Sequence, residues 1–181
     1  PELWGMPNIN APAVWDTRTS ATRSDGEKMI IGVIDTGVNY NHPDLVDNMW
    51  TNPNPGSYGS GITGDVHGIN AIAKSGDPMD DQGHGTHVSG TIAGVGNNNL
   101  GVAGVAWDAE IMALKFLSSE GSGAIGDAVL CLDYAIDKGA HLTNNSWGGG
   151  PFTQSFFDLL EDARDQGQLF IAAAGNSANN N

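Results

Sequence analysis

Four short strand-like segments, most of them apolar, alternate with three helix-like segments along the chain. Met29-Ile30-Ile31-Gly32-Val33-Ile34 is apolar throughout and stops at Asp35-Thr36-Gly37. Such a run reads as a strand buried on both faces. Residues 111–117 read the same way, and 141–146 and 168–174 are predicted as a third and a fourth strand. Residues 84–95 are predicted as a helix. Residues 124–138 place Ile125, Val129, Leu132 and Ile136 on one helical stripe. Residues 153–166 fit an amphipathic helix, with Thr153 at its N-cap and Gly167 as its stop. The first 28 residues read as irregular, save a short helix opening at Pro12-Ala13-Val14-Trp15. Residues 51–82 are rich in Gly, Pro, Asn and Asp and read as loop, with a short strand near 69–73. Residues 94–104 read as a second loop.

Strands alternating with helices predict an α/β fold. The sheet is expected to be doubly wound and mostly parallel, with helices on both faces. Ligands on such sheets bind beyond the carboxyl ends of the strands. Asp35, residues 118–123, Ser146-Trp147-Gly148 and Gly175-Asn176 all follow predicted strands. They are expected along one edge.

Composition narrows the functional classes. At 181 residues the chain has the size of a single domain, 1–181. Glycine accounts for 26 residues, about twice the usual ~7%. That frequency points to tight turns and close backbone approaches. Seven basic against 21 acidic residues give a formal charge of −14. A field of that sign repels nucleic acid. The single cysteine, Cys131, excludes an intrachain disulfide and a multi-Cys zinc site, and its apolar neighbours make it a core residue. No apolar run approaches the ~18 residues of a membrane span.

The candidate chemistry lies at the predicted strand ends. An acid closing an apolar strand, as Asp35 does, needs a partner. His84 stands between glycines in Gly83-His84-Gly85-Thr86-His87, which allows another backbone to come close. An Asp can orient an imidazole, the imidazole can serve as general base, and the Asn176 amide can donate to an oxyanion. These are the parts of serine-dependent acyl transfer without the serine.

Five blocks carry a family resemblance: Ile34-Asp35-Thr36-Gly37-Val38, His42-Pro43-Asp44-Leu45, His84-Gly85-Thr86-His87-Val88-Ser89-Gly90-Thr91-Ile92-Ala93, Asn145-Ser146-Trp147-Gly148-Gly149 and Ala173-Ala174-Gly175-Asn176. In this order they resemble the subtilisin-like serine proteases, whose triad order places Asp before His. The resemblance implies catalytic roles for Asp35, His84 and Asn176 in a serine endopeptidase. It implies that Gly121, Ser122 and Gly123 pair with an extended substrate as an added strand. Ser146, Trp147 and Gly148, with Ala173, Ala174 and Gly175, would wall the pocket before the scissile bond, Trp147 being bulky for that place. It also implies a structural Ca²⁺ held by the Asp44 carboxylate, the Asn98 side chain and the carbonyls of Val95, Leu100 and Val102. Asn97 is the alternative to Asn98, because the loop length shifts the match by one. Asp77, Asp80 and Asp81 are either a second cation site or a solvated acidic loop. Implied partners are extended peptide or protein substrates, and an inhibitory propeptide or a C-terminal segment. The implied location is secreted.

No serine here has the Gly-Thr-Ser context of the family nucleophile. The chain is therefore expected to be the N-terminal portion of a catalytic domain whose C-terminal part is missing. Alone it is expected to be inactive, or a peptide-binding pseudoenzyme. Two other motifs carry less. Gly121-Ser122-Gly123-Ala124-Ile125-Gly126 has a dinucleotide-binding spacing. Residues 141–147 lack the acid that mechanism needs about 20 positions later. His84 and His87 have the spacing of a zinc pair, but no Glu follows in the zincin pattern.

Overall fold

The computed structural model describes residues 3–59 and 61–177. Five strands, β1 (Ile30–Asp35), β2 (Gly68–Asn70), β3 (Glu110–Lys115), β4 (Leu142–Asn145) and β5 (Leu169–Ala172), form one sheet in the order β2-β3-β1-β4-β5. Every pairing is parallel. The helices are α1 (Gly5–Asn8), α2 (Ala11–Trp15), α3 (His84–Ala93), α4 (Ile125–Asp137) and α5 (Gln154–Asp165), with a 3₁₀ turn at Val46–Asn48. The helices α1 and α2 are the ordered part of a segment that reads as mostly irregular. Strand β1 keeps its expected length but is shifted one residue onto Asp35, and β3, β4 and β5 are each shorter than expected, because pairing stops where the loops begin.

Two cores form, one on each face of the sheet. Side chains alternate across a strand. Ile31 and Val33 of β1 join Ile111 and Ala113 of β3 and Ala93 of α3 in one core. Ile34, Met112 and Leu114 face the other way, onto Ala128, Cys131, Leu132 and Ala135 of α4. The fold is thus α/β with helices on both faces, as the alternation predicts. Burial pushes the Cys131 thiol well above its ordinary pKa, in keeping with an inert core residue.

The end of α5 follows the sequence expectation in part. Gly167 adopts a left-handed φ of 79° just beyond the helix. Thr153 has the extended backbone of an N-cap, but its hydroxyl makes no capping bond. Val129 is turned from the core to an open groove between α4 and α5. Strand β5 differs most from the central strands: Leu169 and Ile171 are exposed.

Replacing Leu114, which is wholly buried in β3, by Ala is expected to cost about 2–5 kcal/mol through lost burial and the cavity left behind. The urea midpoint would fall without a change in slope.

Candidate active site

Strand β1 ends on Asp35, whose side chain has no exposed surface. Its two oxygens lie 2.8 and 2.9 Å from Nδ1 of His84, the first residue of α3. One oxygen also accepts the Thr36 N–H at 2.7 Å. A carboxylate facing Nδ1 places the imidazole proton there and leaves Nε2 as the basic nitrogen. The imidazole is about half exposed, 46%, so the base meets the surface while its acid stays buried.

The approach of α3 to β1 depends on Gly85. A Cβ there would run into the carbonyl oxygen of Gly37 and lie 3.2 Å from the Asp35 Cβ. The first N–H groups of a helix lack intrahelical partners. Here they are met by side chains from outside the helix. His84 N–H donates to Gln82 Oε1, Gly85 N–H to Thr36 Oγ1, and Thr86 N–H to Asp80 Oδ2.

Asp80 is the hub of this arrangement. It accepts the Thr36 hydroxyl at 2.9 Å, the Thr86 hydroxyl at 2.5 Å and the backbone N–H groups of Gln82 and Gly83. Asp81 pairs with Lys115 at 2.7 Å, and Asp77 accepts the Tyr40 hydroxyl. The three acids therefore serve separate partners. Asp80 stood out in the sequence only as a candidate cation ligand or a solvated acid, and Lys115 did not stand out at all. The available signal was a lysine inside the apolar run of β3.

A cleft of about 440 Å³ opens beside His84. Gly121, Ser122 and Gly123 form one margin, and Ser146, Trp147 and Gly148 another. Phe116, Leu117 and Ile125 supply apolar lining. The bulk of Trp147 is taken up by a cluster with Phe116, Phe156 and Phe170, with centroids at 4.8, 6.0 and 6.5 Å. Ala173, Ala174, Gly175 and Asn176 are exposed and do not line this cleft. They follow β5 at the same sheet edge, where Ala173 N–H donates to the Asn145 carbonyl at 3.1 Å.

The residues assigned to a cation also converge. Asp44 is 2% exposed. It accepts Asn98 Nδ2 and Val102 N–H, both at 2.7 Å. The Asp44 carbonyl accepts Val95 N–H, and Asn98 Oδ1 accepts Leu100 N–H. The loop is thus wrapped around one carboxylate, with Asn98 rather than Asn97 at its side. Asp44 makes no ion pair among the described residues. A buried carboxylate met only by neutral donors, with no cationic side chain beside it, fits a hard cation.

The sheet thus carries an Asp–His pair at the carboxyl edge of its strands. The sequence profile of the Subtilase family matches residues 26–181, and the chain belongs to that family. Subtilisin-like protease 1 of Plasmodium falciparum is 42% identical over 153 residues, 81% of this chain and 22% of that protein. Thermitase of Thermoactinomyces vulgaris is 32% identical over 176 residues, 97% of this chain and 55% of that protein. Subtilisin BL of Lederbergia lenta is 34% identical over 174 residues, 96% of this chain and 55% of that protein. The chain spans little more than half the length of thermitase and subtilisin BL, and less of the Plasmodium relative.

Burial alone would raise the Asp80 pKa, but hydrogen bonds from Thr86, Gly83 and Gln82 hold it below the ordinary carboxylate value. A lowered folded-state pKa contributes stability in full above the unfolded value, and that stability is lost as pH falls through the folded one. Asp80→Asn is therefore expected to be less stable than wild type at neutral pH. The gap should close in acid, as followed by thermal melts from pH 7 to pH 2.

Proposed function

We propose that the chain carries the Asp–His part of a serine endopeptidase site. The observation behind this reading is the bond of 2.8 Å between a fully buried Asp35 and a half-exposed His84 at the rim of a glycine-edged cleft. In this reading Asp35 fixes the imidazole tautomer and stabilises its charged form. Nε2 of His84 takes the proton of an attacking serine and returns it to the leaving amine. Asn176 donates its amide to the oxyanion of the tetrahedral intermediate. An extended peptide or protein substrate lies along the exposed backbone of Gly121, Ser122 and Gly123 as an added strand. Its residue before the scissile bond falls between Ser146-Trp147-Gly148 and Ala173-Ala174-Gly175. An inhibitory propeptide or a C-terminal segment is the second partner in this reading, and the protein acts outside the cell.

The nucleophile is not among these 181 residues, so the chain alone hydrolyses nothing in this reading. Protein expressed from its full coding sequence is expected to cleave casein and to react with a fluorophosphonate probe. His84→Ala should lower kcat about 10⁶-fold, the scale of that loss in subtilisin. The 181-residue chain should remain unlabelled. Labelling of the short chain would refute the absence of the nucleophile. A full protein that binds peptide without cleaving it would replace the protease by a peptide-binding module.

Calcium is the proposed cofactor, held by Asp44, Asn98 and the carbonyls of Val95, Leu100 and Val102. Its contribution is structural, fixing the 95–102 loop. Ca²⁺ at 100 times its Kd is expected to stabilise the fold by about 2.7 kcal/mol. Calorimetry should find the effect in wild type and not in Asp44→Asn.

A further inference from the structure

Lys115 ends β3 with only 4% of its surface exposed. A buried ammonium is costly unless it is paired and hydrogen-bonded. Its donors reach the Thr36 carbonyl at 2.6 Å, the Asp81 carboxylate at 2.7 Å and the Leu117 carbonyl at 2.8 Å. An ammonium has three N–H donors, so its capacity is filled.

Each acceptor belongs to a different part of the site. Thr36 directly follows Asp35, and Lys115 is the register partner of Asp35 in the sheet. Asp81 lies in the loop that delivers His84. Leu117 opens the segment leading to Gly121 and lines the cleft.

We propose that Lys115 is a positioning residue for the Asp35–His84 pair, fastening the acid's strand end, the base's loop and the cleft margin to one buried charge. This rests on the protease reading. The ammonium touches neither the imidazole nor the cleft contents, and acts through the backbone and through Asp81. A role in stability alone does not require the charge. An apolar residue here would continue the apolar run of β3, and replacing a buried ion pair by apolar groups is often neutral or stabilising. The positioning role does require it, because no other side chain among the described residues bonds Thr36, Asp81 and Leu117 together, although the Leu117 N–H also reaches the Asp35 carbonyl at 3.1 Å.

The test uses protein expressed from its full coding sequence, with Lys115→Met, Lys115→Arg and Asp81→Asn. Asp81 is 54% exposed on its side chain and Asn keeps an amide oxygen for the ammonium, so this variant is expected to fold, which its cooperative urea unfolding checks. The downfield proton resonance of the His84 Nδ1–H held by Asp35 reports the pair without reference to turnover. This resonance is expected to shift or broaden by solvent exchange in Lys115→Met and Asp81→Asn while cooperative urea unfolding is kept. Turnover should fall about 10- to 100-fold in Lys115→Met, the scale of a small misplacement of reacting groups. Substrate KM should rise in the same variant, because the Leu117 margin is released. Asp81→Asn should lower kcat with little change in KM, and Lys115→Arg should restore part of both. An unchanged His84 resonance with kcat within twofold of wild type in the folded variants would overturn the proposal. Should Lys115→Met fail to fold, Asp81→Asn decides alone. A wild-type protein without hydrolytic activity would sink the protease reading, and the His84 resonance would still decide the role of Lys115.

Discussion

A carboxylate with no exposed surface must find its donors inside the fold, and at Asp35 that requirement shapes everything around it. Its donors are one backbone N–H and one imidazole. The imidazole can reach it only if α3 starts against the end of β1. That contact in turn leaves no room for a side chain at Gly85. A side chain on β1, the start of a helix and a glycine thus settle one another. The two cores hold the result in place, since β1 is clamped by α3 on one face and α4 on the other.

Behind the pair, polar side chains do what helix caps and tight turns do elsewhere. Gly83 offers no capping group, so Gln82, Thr36 and Asp80 satisfy the first turn of α3 from outside. Charge is tolerated there, at a half-buried Asp80 and a buried Lys115, because each group is fully engaged. Asp80 is held by hydroxyls and N–H groups, and Lys115 by two carbonyls and a carboxylate. Asp44 has a similar setting at the other loop, without a cationic side chain to balance it.

Much of this was legible from the chain. The apolar runs around Ile34 and Leu114 are long and uninterrupted, so the strands, their parallel order and the layering follow from alternation. Asp35 and His84 stand out because an acid closing a buried strand and a histidine flanked by glycines are both unusual. The convergence of Asp44 with Asn98 and Val102 follows the family pattern of the loop. Other features were hidden because their partners are remote. Lys115 meets Thr36 across 79 positions, and nothing local marks that contact. Asp80 reads as a cation ligand or one more acid in a polar loop until its five donors are seen in space. The short helices near the amino end are stabilised by contact with each other rather than by a periodic pattern. The exposure of β5 is invisible in its composition, because apolar residues look alike whether covered or bare.

The strand order carries one more consequence, for the route by which the fold is reached. The strand at the centre of the sheet is the first in the chain, and its neighbours come much later. Ile30 pairs with Glu110 and Ile31 with Leu142. On a ribosome β1 emerges apolar and unpaired, and it has no partner until β3, at Glu110–Lys115, is made. Closing such long loops slows folding and prolongs the lifetime of partly collapsed states. The strand that bears Asp35 is thus made before either of its partners, so the nascent chain is open to misassembly at the segment on which the Asp35–His84 pair is built.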